Sequence, residues 1–162
     1  MTNPLFDAIF APLASRADDL LILPERGAMS GQAFLALVAR QAHALRQAEL
    51  GAGDRIAVQV AKSPEALAVY GAAVALGAVF LPLNTAYTAD EVDYFVGNAT
   101  PRILLCDGAK ASALQGVADR HGARLLTLDA DGTGSLSDAA RGMPDRIDPE
   151  PRGAEDLAAL LY

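Results

Sequence analysis

The sequence has a single cysteine, Cys106, and no tryptophan. One cysteine can form neither an internal disulfide nor a multi-cysteine metal site, which indicates a reducing compartment. Aromatic residues make up only 6% of the chain, and they are not interleaved with Arg or Lys as in a base-stacking surface. These absences argue against an extracellular disulfide scaffold and against a nucleic-acid-binding module.

Basic charge and long apolar runs are also scarce. Lys and Arg total 13 against 20 Asp and Glu, which gives a net charge of −7, and no basic tract offsets it. This balance argues against binding to nucleic acid or to an anionic membrane, because both attract clustered basic residues. No segment approaches the ~20 apolar residues that cross a bilayer, and the N-terminus lacks the positive region and apolar core of a secretory signal. We expect a cytoplasmic protein with neither nucleic acid nor membrane as a partner.

The chain has the size and composition of one domain with a sizeable core, since 52% of its 162 residues are hydrophobic. From residue 55 onwards, apolar runs of strand length alternate with segments of helical period. The predicted strands are Ile56 to Val60, Val79 to Leu83, Ile103 to Cys106, Arg124 to Leu128 and Asp156 to Leu161. The predicted helices are Pro64 to Leu76, Ala89 to Asn98, Ala109 to His121 and Leu136 to Ala140. This order predicts an α/β fold with a mainly parallel sheet and helices on both faces.

The first 50 residues predict two helices and a hairpin. Apolar residues from Leu5 to Leu13 recur at helical spacing, and Leu20 to Leu23 can pair with residues 28–29 across a turn. Ser30 is a suitable N-cap for a second helix from Gly31 to Leu50, on which Gln41 lies outside the apolar face.

The most distinctive loop is Asn84 to Tyr87, within LPLNTAYT. It follows the predicted strand Val79 to Leu83 at its carboxyl end, where open α/β sheets place their ligands. Thr88 and Glu91 form a capping box, which predicts that a helix begins just after the loop. A purely structural turn is the alternative interpretation, because Asn and Thr are common loop residues.

Other groups with possible chemistry are explained more simply. Asp129 to Ser137 imitates the spacing of a calcium loop, but Ala140 stands where a bidentate Glu is needed, so a polar turn is predicted. Cys106 ends a predicted strand without a neighbouring His and is predicted to be a buried, unreactive thiol. No catalytic residue and no metal ligand is predicted.

Three stretches carry a resemblance to a known family. LPLNTAYT with the following DEVDYFVGNATPRILLCD resembles the N-terminal region of AMP-forming acyl-CoA synthetases, and most closely those of the malonyl-CoA synthetase type. GDRIAVQVAKSPEALAVYGAAVALGAVFLPLN (Gly53 to Asn84) is similar to the stretch that precedes it in the family. EDLAALLY (Glu155 to Tyr162) is similar to the strand before the family's phosphate loop.

The resemblance implies that residues 1–162 form the N-terminal subdomain of the large domain of an adenylate-forming enzyme, ending just before the phosphate loop. Such enzymes use ATP and magnesium to convert a carboxylate, here malonate or a related acid, to an acyl-adenylate and then transfer the acyl group to CoA. By resemblance, Asn84, Thr85, Ala86 and Tyr87 lie near the nucleotide part of CoA, and Lys110 contacts phosphate. The family's catalytic and magnesium-binding motifs follow the strand that resembles EDLAALLY. We therefore expect the 162-residue chain to be inactive alone and to hold no cofactor by itself.

Two alternatives remain open at this point. One is a stand-alone, non-catalytic α/β module that binds a nucleotide or a partner protein. The other lies within the same superfamily, as a different acyl-CoA ligase or an amino-acid-adenylating domain. We also expect a sheet edge without a pairing strand, which favours self-association.

Overall fold

A computed structural model describes residues 2–24 and 26–162 of the chain. Its helices are α1 (Pro4–Ile9), α2 (Gly31–Gln47), α3 (Pro64–Ala75), α4 (Ala89–Ala99), α5 (Ala111–His121) and α6 (Ser135–Ala140). Its strands are β1 (Asp19–Leu23), β2 (Gly27–Ser30), β3 (Arg55–Gln59), β4 (Val79–Pro82), β5 (Ile103–Cys106) and β6 (Arg124–Thr127). Among the residues described, no helix has the length and apolar character needed to cross a membrane.

The main sheet has four parallel strands in the order β4-β3-β5-β6. Its register aligns Leu81, Ala57, Leu104 and Leu125 in one row across the sheet. Strands β1 and β2 form the predicted antiparallel hairpin. The turn was predicted over residues 24–27, of which Glu25 lies outside the described part of the chain. The predicted α/β class and the mainly parallel sheet are therefore confirmed.

Helices cover both faces of this sheet, as predicted. Alternate strand residues point to opposite faces, so neighbours such as Leu104 and Leu105 belong to different cores. Leu105 packs in a core with side chains of α1, α2, α3 and α6. Leu104 packs in the other core with side chains of α4 and α5. Continuous apolar runs such as ILLC are explained by this double coverage.

Helix α2 ends at Gln47, three residues before the predicted end at Leu50. Glu49 takes a left-handed conformation with φ 68°, and its N–H donates to the carbonyl oxygen of Arg46 at 2.9 Å. The N–H of Leu50 donates to the carbonyl oxygen of Leu45 at 3.0 Å. This pair of bonds is a Schellman motif, which closes a helix most often at Gly. The prediction was wrong because it placed the reversal at Gly51 instead of Glu49.

The predicted strand Asp156 to Leu161 is reduced to a single parallel bridge between Phe80 and Ala159. Phe80 donates its N–H to Ala158 and accepts from the N–H of Leu160, each at 3.0 Å. The next outward-facing residue of β4 is Pro82, which has no N–H to donate. The pairing therefore cannot continue, and the prediction of a full strand was wrong.

Other helix boundaries also differ from the predictions. The segment predicted from Leu5 to Leu13 divides into α1 and a 3₁₀ turn, Ala11–Ser15. The helix predicted from Ala109 begins with a 3₁₀ turn, Gly108–Lys110, so that α5 starts only at Ala111. Helix α4 runs one residue past Asn98 and ends before Thr100, whose φ of 46° is left-handed.

The predicted capping box at the start of α4 is present. The Thr88 hydroxyl accepts from the N–H of Glu91, and the Glu91 carboxylate accepts from the N–H of Thr88 at 2.8 Å. We expect Thr88→Ala to lower the free energy of unfolding by about 1 kcal/mol, because the first turn loses its cap. Urea denaturation measures this. Thr85→Ala, at an exposed position of the preceding loop, is the control and should change stability by less than about 0.5 kcal/mol.

Candidate functional site

The loop from Asn84 to Tyr87 lies at the carboxyl edge of the sheet, meaning the edge at which β3, β4, β5 and β6 end. The Asn84 side-chain oxygen accepts from the N–H of Ala86 at 2.9 Å, and the Tyr87 N–H donates to the Asn84 carbonyl at 3.1 Å. Asn84, Thr85 and Ala86 are exposed, and Tyr87 is half-buried. These bonds make a compact turn whose outer surface is open to a ligand.

Gln59, the last residue of β3, holds this loop from below. Its side chain is fully buried, and its amide nitrogen donates to the carbonyl oxygens of Asn84 at 2.9 Å and Tyr87 at 3.0 Å. Sequence reasoning treated Gln59 only as part of a strand. The sequence does carry a signal for this role, because Gln59 is a polar residue within the otherwise apolar run from Ile56 to Val60.

Lys110 reaches the same loop from the segment that follows β5. Its ammonium group donates to the carbonyl oxygen of Thr85. An ammonium carries three N–H donors, so this bond leaves others for a second acceptor. The structure thus brings together all five residues that the sequence marked as a candidate site: Asn84, Thr85, Ala86, Tyr87 and Lys110.

Two aspartates connect the remaining loops of the carboxyl edge. Asp107 accepts from the N–H of Ala61 at 3.1 Å, and Asp129 accepts from the N–H of Gly108 at 2.7 Å. Asp107 comes directly after β5, and Asp129 lies two residues after the end of β6. Hydrogen bonds from main-chain N–H groups to a carboxylate are charge-assisted and strong. Neither residue was predicted as a site residue, although an aspartate soon after the end of each strand was a signal.

The ring of Tyr87 lies against Phe95 of α4, with 5.0 Å between ring centroids. Phe95 also contacts the ring of Tyr162 at 4.9 Å and that of Tyr94 at 5.5 Å. The Tyr162 hydroxyl donates to the Asn98 side chain. Packing against Phe95 therefore explains the position of the Tyr87 ring. The polar groups that the loop offers to a ligand are those of its main chain and of the Asn84 and Thr85 side chains.

Cys106 is buried, and Asp131 lies in a polar turn, as the sequence predicted for both. Burial, together with the nearby negative charge of Asp107, raises the pKa of the Cys106 thiol to about 11, which keeps it protonated near neutral pH. The Asp131 carboxylate accepts from the N–H of Thr133 at 2.9 Å, as a polar turn requires. Among residues 2–24 and 26–162, no three His, Cys, Asp or Glu side chains are grouped so that they could hold a metal ion.

His121 and Asp93 join α5 to α4. The Nε2 atom of His121 lies 2.8 Å from Asp93, and Arg120 contacts the same carboxylate at 2.6 Å. The hydrogen bond from His121 and the charge of Arg120 lower the pKa of Asp93. This cluster holds two helices together on the surface and lies outside the carboxyl-edge loops.

Comparison with known proteins relates this chain to AMP-binding enzymes and to CoA ligases. The family model described as AMP-binding enzyme matches residues 13–162. The 3-hydroxybenzoate–CoA ligase of Aromatoleum sp. (strain CIB) is 28% identical over 99% of this chain and 32% of its own length. The feruloyl-CoA synthase of Amycolatopsis sp. is 33% identical over 77% of this chain and 23% of its own length.

Among solved structures, apo MatB from Rhodopseudomonas palustris superposes with a TM-score of 0.95 and 41% identity, covering 100% of this chain and 32% of MatB. MatB has also been solved with ATP bound. This chain thus spans about a third of the length of the first relatives it matches. The family match, the ligase relatives and the fold lead to one conclusion: the chain belongs to the AMP-binding enzyme family of adenylate-forming acyl-CoA ligases.

Proposed function

We propose that this chain is the N-terminal subdomain of a malonyl-CoA synthetase. The complete enzyme would convert ATP, malonate and CoA to malonyl-CoA, AMP and diphosphate through an acyl-adenylate, with magnesium as the metal. Two observations support malonate as the acid. LPLNTAYT and its flanks resemble the malonyl-CoA synthetase type. The identity of 41% with MatB, a malonyl-CoA synthetase, exceeds the 28% and 33% found with ligases named for aromatic acids.

We further propose that the Asn84–Tyr87 loop and Lys110 contact the nucleotide part of CoA. The observation that carries this proposal is the hydrogen bond from Lys110 to the Thr85 carbonyl, because it places a cation beside an exposed loop at the carboxyl edge. The remaining N–H donors of Lys110 suit a phosphate oxygen, and the Asn84 side chain suits a ribose or base. None of these residues touches a reacting bond in this arrangement, so their role is binding.

We propose that the 162 residues alone do not catalyse the reaction. Adenylyl transfer needs metal ions, lysines or main-chain donors clamped on the phosphates, and the resemblance places the family's groups of this kind after EDLAALLY. The proposed compartment is the cytoplasm, on the basis of the single cysteine.

The test is ATP–pyrophosphate exchange with the product of the complete gene that encodes this chain. Malonate, methylmalonate, acetate, 3-hydroxybenzoate and a long-chain fatty acid are supplied in parallel, each with and without magnesium. We expect malonate to give the fastest exchange, and CoA then to give malonyl-CoA. If another acid gives the fastest exchange, malonate is not the substrate, but the proposed ligase activity stands. Exchange with no acid would favour a stand-alone module, and exchange by residues 1–162 alone would overturn their proposed inactivity.

We also propose that the isolated 162-residue chain self-associates through the β6 edge. At the β4 edge, the N–H of Phe80 is already hydrogen-bonded and Pro82 has no N–H to donate. At the β6 edge, N–H groups of successive residues point alternately towards and away from β5, so the N–H of Leu125 points outwards. Ser135 protects one end of this edge, since its hydroxyl accepts from the N–H of Thr127 at 2.9 Å. Sedimentation over a hundredfold range of concentration distinguishes a monomer from an associating chain.

A further inference from the structure

One side chain beneath the proposed CoA loop is held in a way that stability alone does not explain. Gln59 is fully buried at the end of β3, and its side-chain nitrogen donates to two carbonyl oxygens of the loop. Its side-chain oxygen is also buried and has no hydrogen-bond partner among the described residues. A buried acceptor without a partner destabilises a fold, and an apolar residue of similar shape would avoid that cost.

The two bonds from Gln59 bracket the loop. The carbonyl groups of Asn84 and Tyr87 stand at its two ends, and one amide group fixes both. Lys110 fixes the carbonyl of Thr85 between them. Side chains of the protein therefore hold three of the four main-chain carbonyl groups of the loop. A ligand that binds such a loop does not have to order it, which improves affinity without any new contact.

We propose that Gln59 is a positioning residue for CoA binding. Gln59 is fully buried, so it acts through the main chain of the Asn84–Tyr87 loop and not by direct contact with a ligand. This inference rests on the proposed function, because it assigns Gln59 to the CoA-dependent half of that reaction. Its loss should therefore weaken the use of CoA and leave formation of the acyl-adenylate intact.

The chain offers a closely matched control in Gln41. This side chain is 1% exposed, donates its amide nitrogen to the Glu65 carbonyl at 3.2 Å, and also has a buried side-chain oxygen without a partner among the described residues. It lies between α2 and α3, in the core on the other face of the sheet. Gln41 was predicted to lie outside the apolar face of its helix. The prediction was wrong because the hydrogen bond to the Glu65 carbonyl lets this amide enter the core.

The experiment compares Gln59→Met and Gln41→Met in the product of the complete gene, with ATP, magnesium and the acid that it activates best. Three quantities are measured: the rate of ATP–pyrophosphate exchange, kcat and KM for CoA in the full reaction, and the melting temperature. We expect Gln59→Met to raise KM for CoA roughly fivefold or more, as the loss of two hydrogen bonds implies, with exchange within twofold of the parent. Gln41→Met should leave KM for CoA unchanged.

The outcomes are distinct. An unchanged KM for CoA in Gln59→Met, or an equal rise in Gln41→Met, overturns the positioning role. Absence of CoA-dependent turnover in the unsubstituted protein overturns the proposed function and this inference with it. Where Gln59→Met does not fold, Gln59→Leu removes the same amide group with a different apolar side chain. An unchanged KM for CoA in that variant, with exchange intact, overturns the positioning role.

Discussion

Gly134→Ala is expected to destabilise the protein by roughly 3 kcal/mol or more, because the backbone there is available only to glycine. Gly134 has φ 131° and ψ 171°, a region that side chains with a Cβ do not enter. A Cβ at this position would stand 2.4 Å from the carbonyl oxygen of Thr127 and 3.0 Å from the Cα of Leu128. Both neighbours are main-chain atoms of β6 and its end, so neither can rotate away.

The close approach at Gly134 serves a specific contact. Ser135 donates its N–H to the Thr127 hydroxyl at 3.0 Å and accepts the N–H of Thr127 at 2.9 Å. These bonds attach α6 to the edge strand, and any shift that admits a Cβ would break them. Loss of attachment also uncovers the end of β6, so aggregation of the variant is expected to accompany its lower stability.

Gly116 provides the matched control. It lies inside α5 with ordinary helical geometry, and a Cβ built there meets no atom within 4 Å. Gly116→Ala should therefore stabilise the protein by about 0.5–1 kcal/mol, through better helix propensity. Urea denaturation of the three proteins under the same conditions measures both changes. If Gly134→Ala unfolds at the same urea concentration as the parent, the tight packing against β6 is wrong.

The fold was largely predictable because its signals are local. Strands such as Ile103–Cys106 are apolar runs of the right length, and Ser63 before Pro64 marks the start of α3 as an N-cap should. The errors occurred where one residue's neighbours decide the result. A segment as apolar as EDLAALLY makes only one bridge because β4 ends in Pro82, and Glu49 reverses a helix where Gly51 seemed the better choice.

The candidate site was predictable in position but incomplete in composition. The Asn84–Tyr87 loop follows from the topology, because every parallel strand ends at the same edge. The residues that fix the loops did not follow. Gln59, Asp107 and Asp129 all bond to main-chain groups 21 to 46 residues away, and a main-chain partner leaves no trace in the sequence. Only their position at or just after the end of a strand distinguishes these polar residues.

An ion pair joins the β1–β2 hairpin to α3, two elements that are far apart in the sequence. Arg26 of the β1–β2 hairpin donates to both carboxylate oxygens of Glu65 in the first turn of α3. The Glu65 side chain is only 10% exposed, and that of Arg26 is 41% exposed. Burial opposes the ionisation of Glu65. The hydrogen bonds from Arg26, from the main-chain N–H of Glu65 and from Ser63, together with the charge of Arg26, outweigh this effect and lower the pKa of the carboxyl group. The charge of Glu65 thus depends on an arginine far away in sequence.

Arg26→Met is expected to lower the free energy of unfolding by about 2 kcal/mol at pH 7, less than for a fully buried pair because Arg26 is partly exposed. The sign with pH follows from the lowered pKa. The contribution is complete above the unfolded pKa of Glu, about 4.3, and is lost as the pH falls through the lower folded value. The parent should therefore lose this contribution on acidification, and the difference in stability between parent and variant should shrink.

Arg141→Met, which removes the exposed contact with Asp138, is the control and should change stability by less than about 0.5 kcal/mol at either pH. Denaturant unfolding at pH 7 and at pH 3 measures both stability differences. If the difference between Arg26→Met and the parent is as large at pH 3 as at pH 7, the contact acts through packing and not through the charge of Glu65.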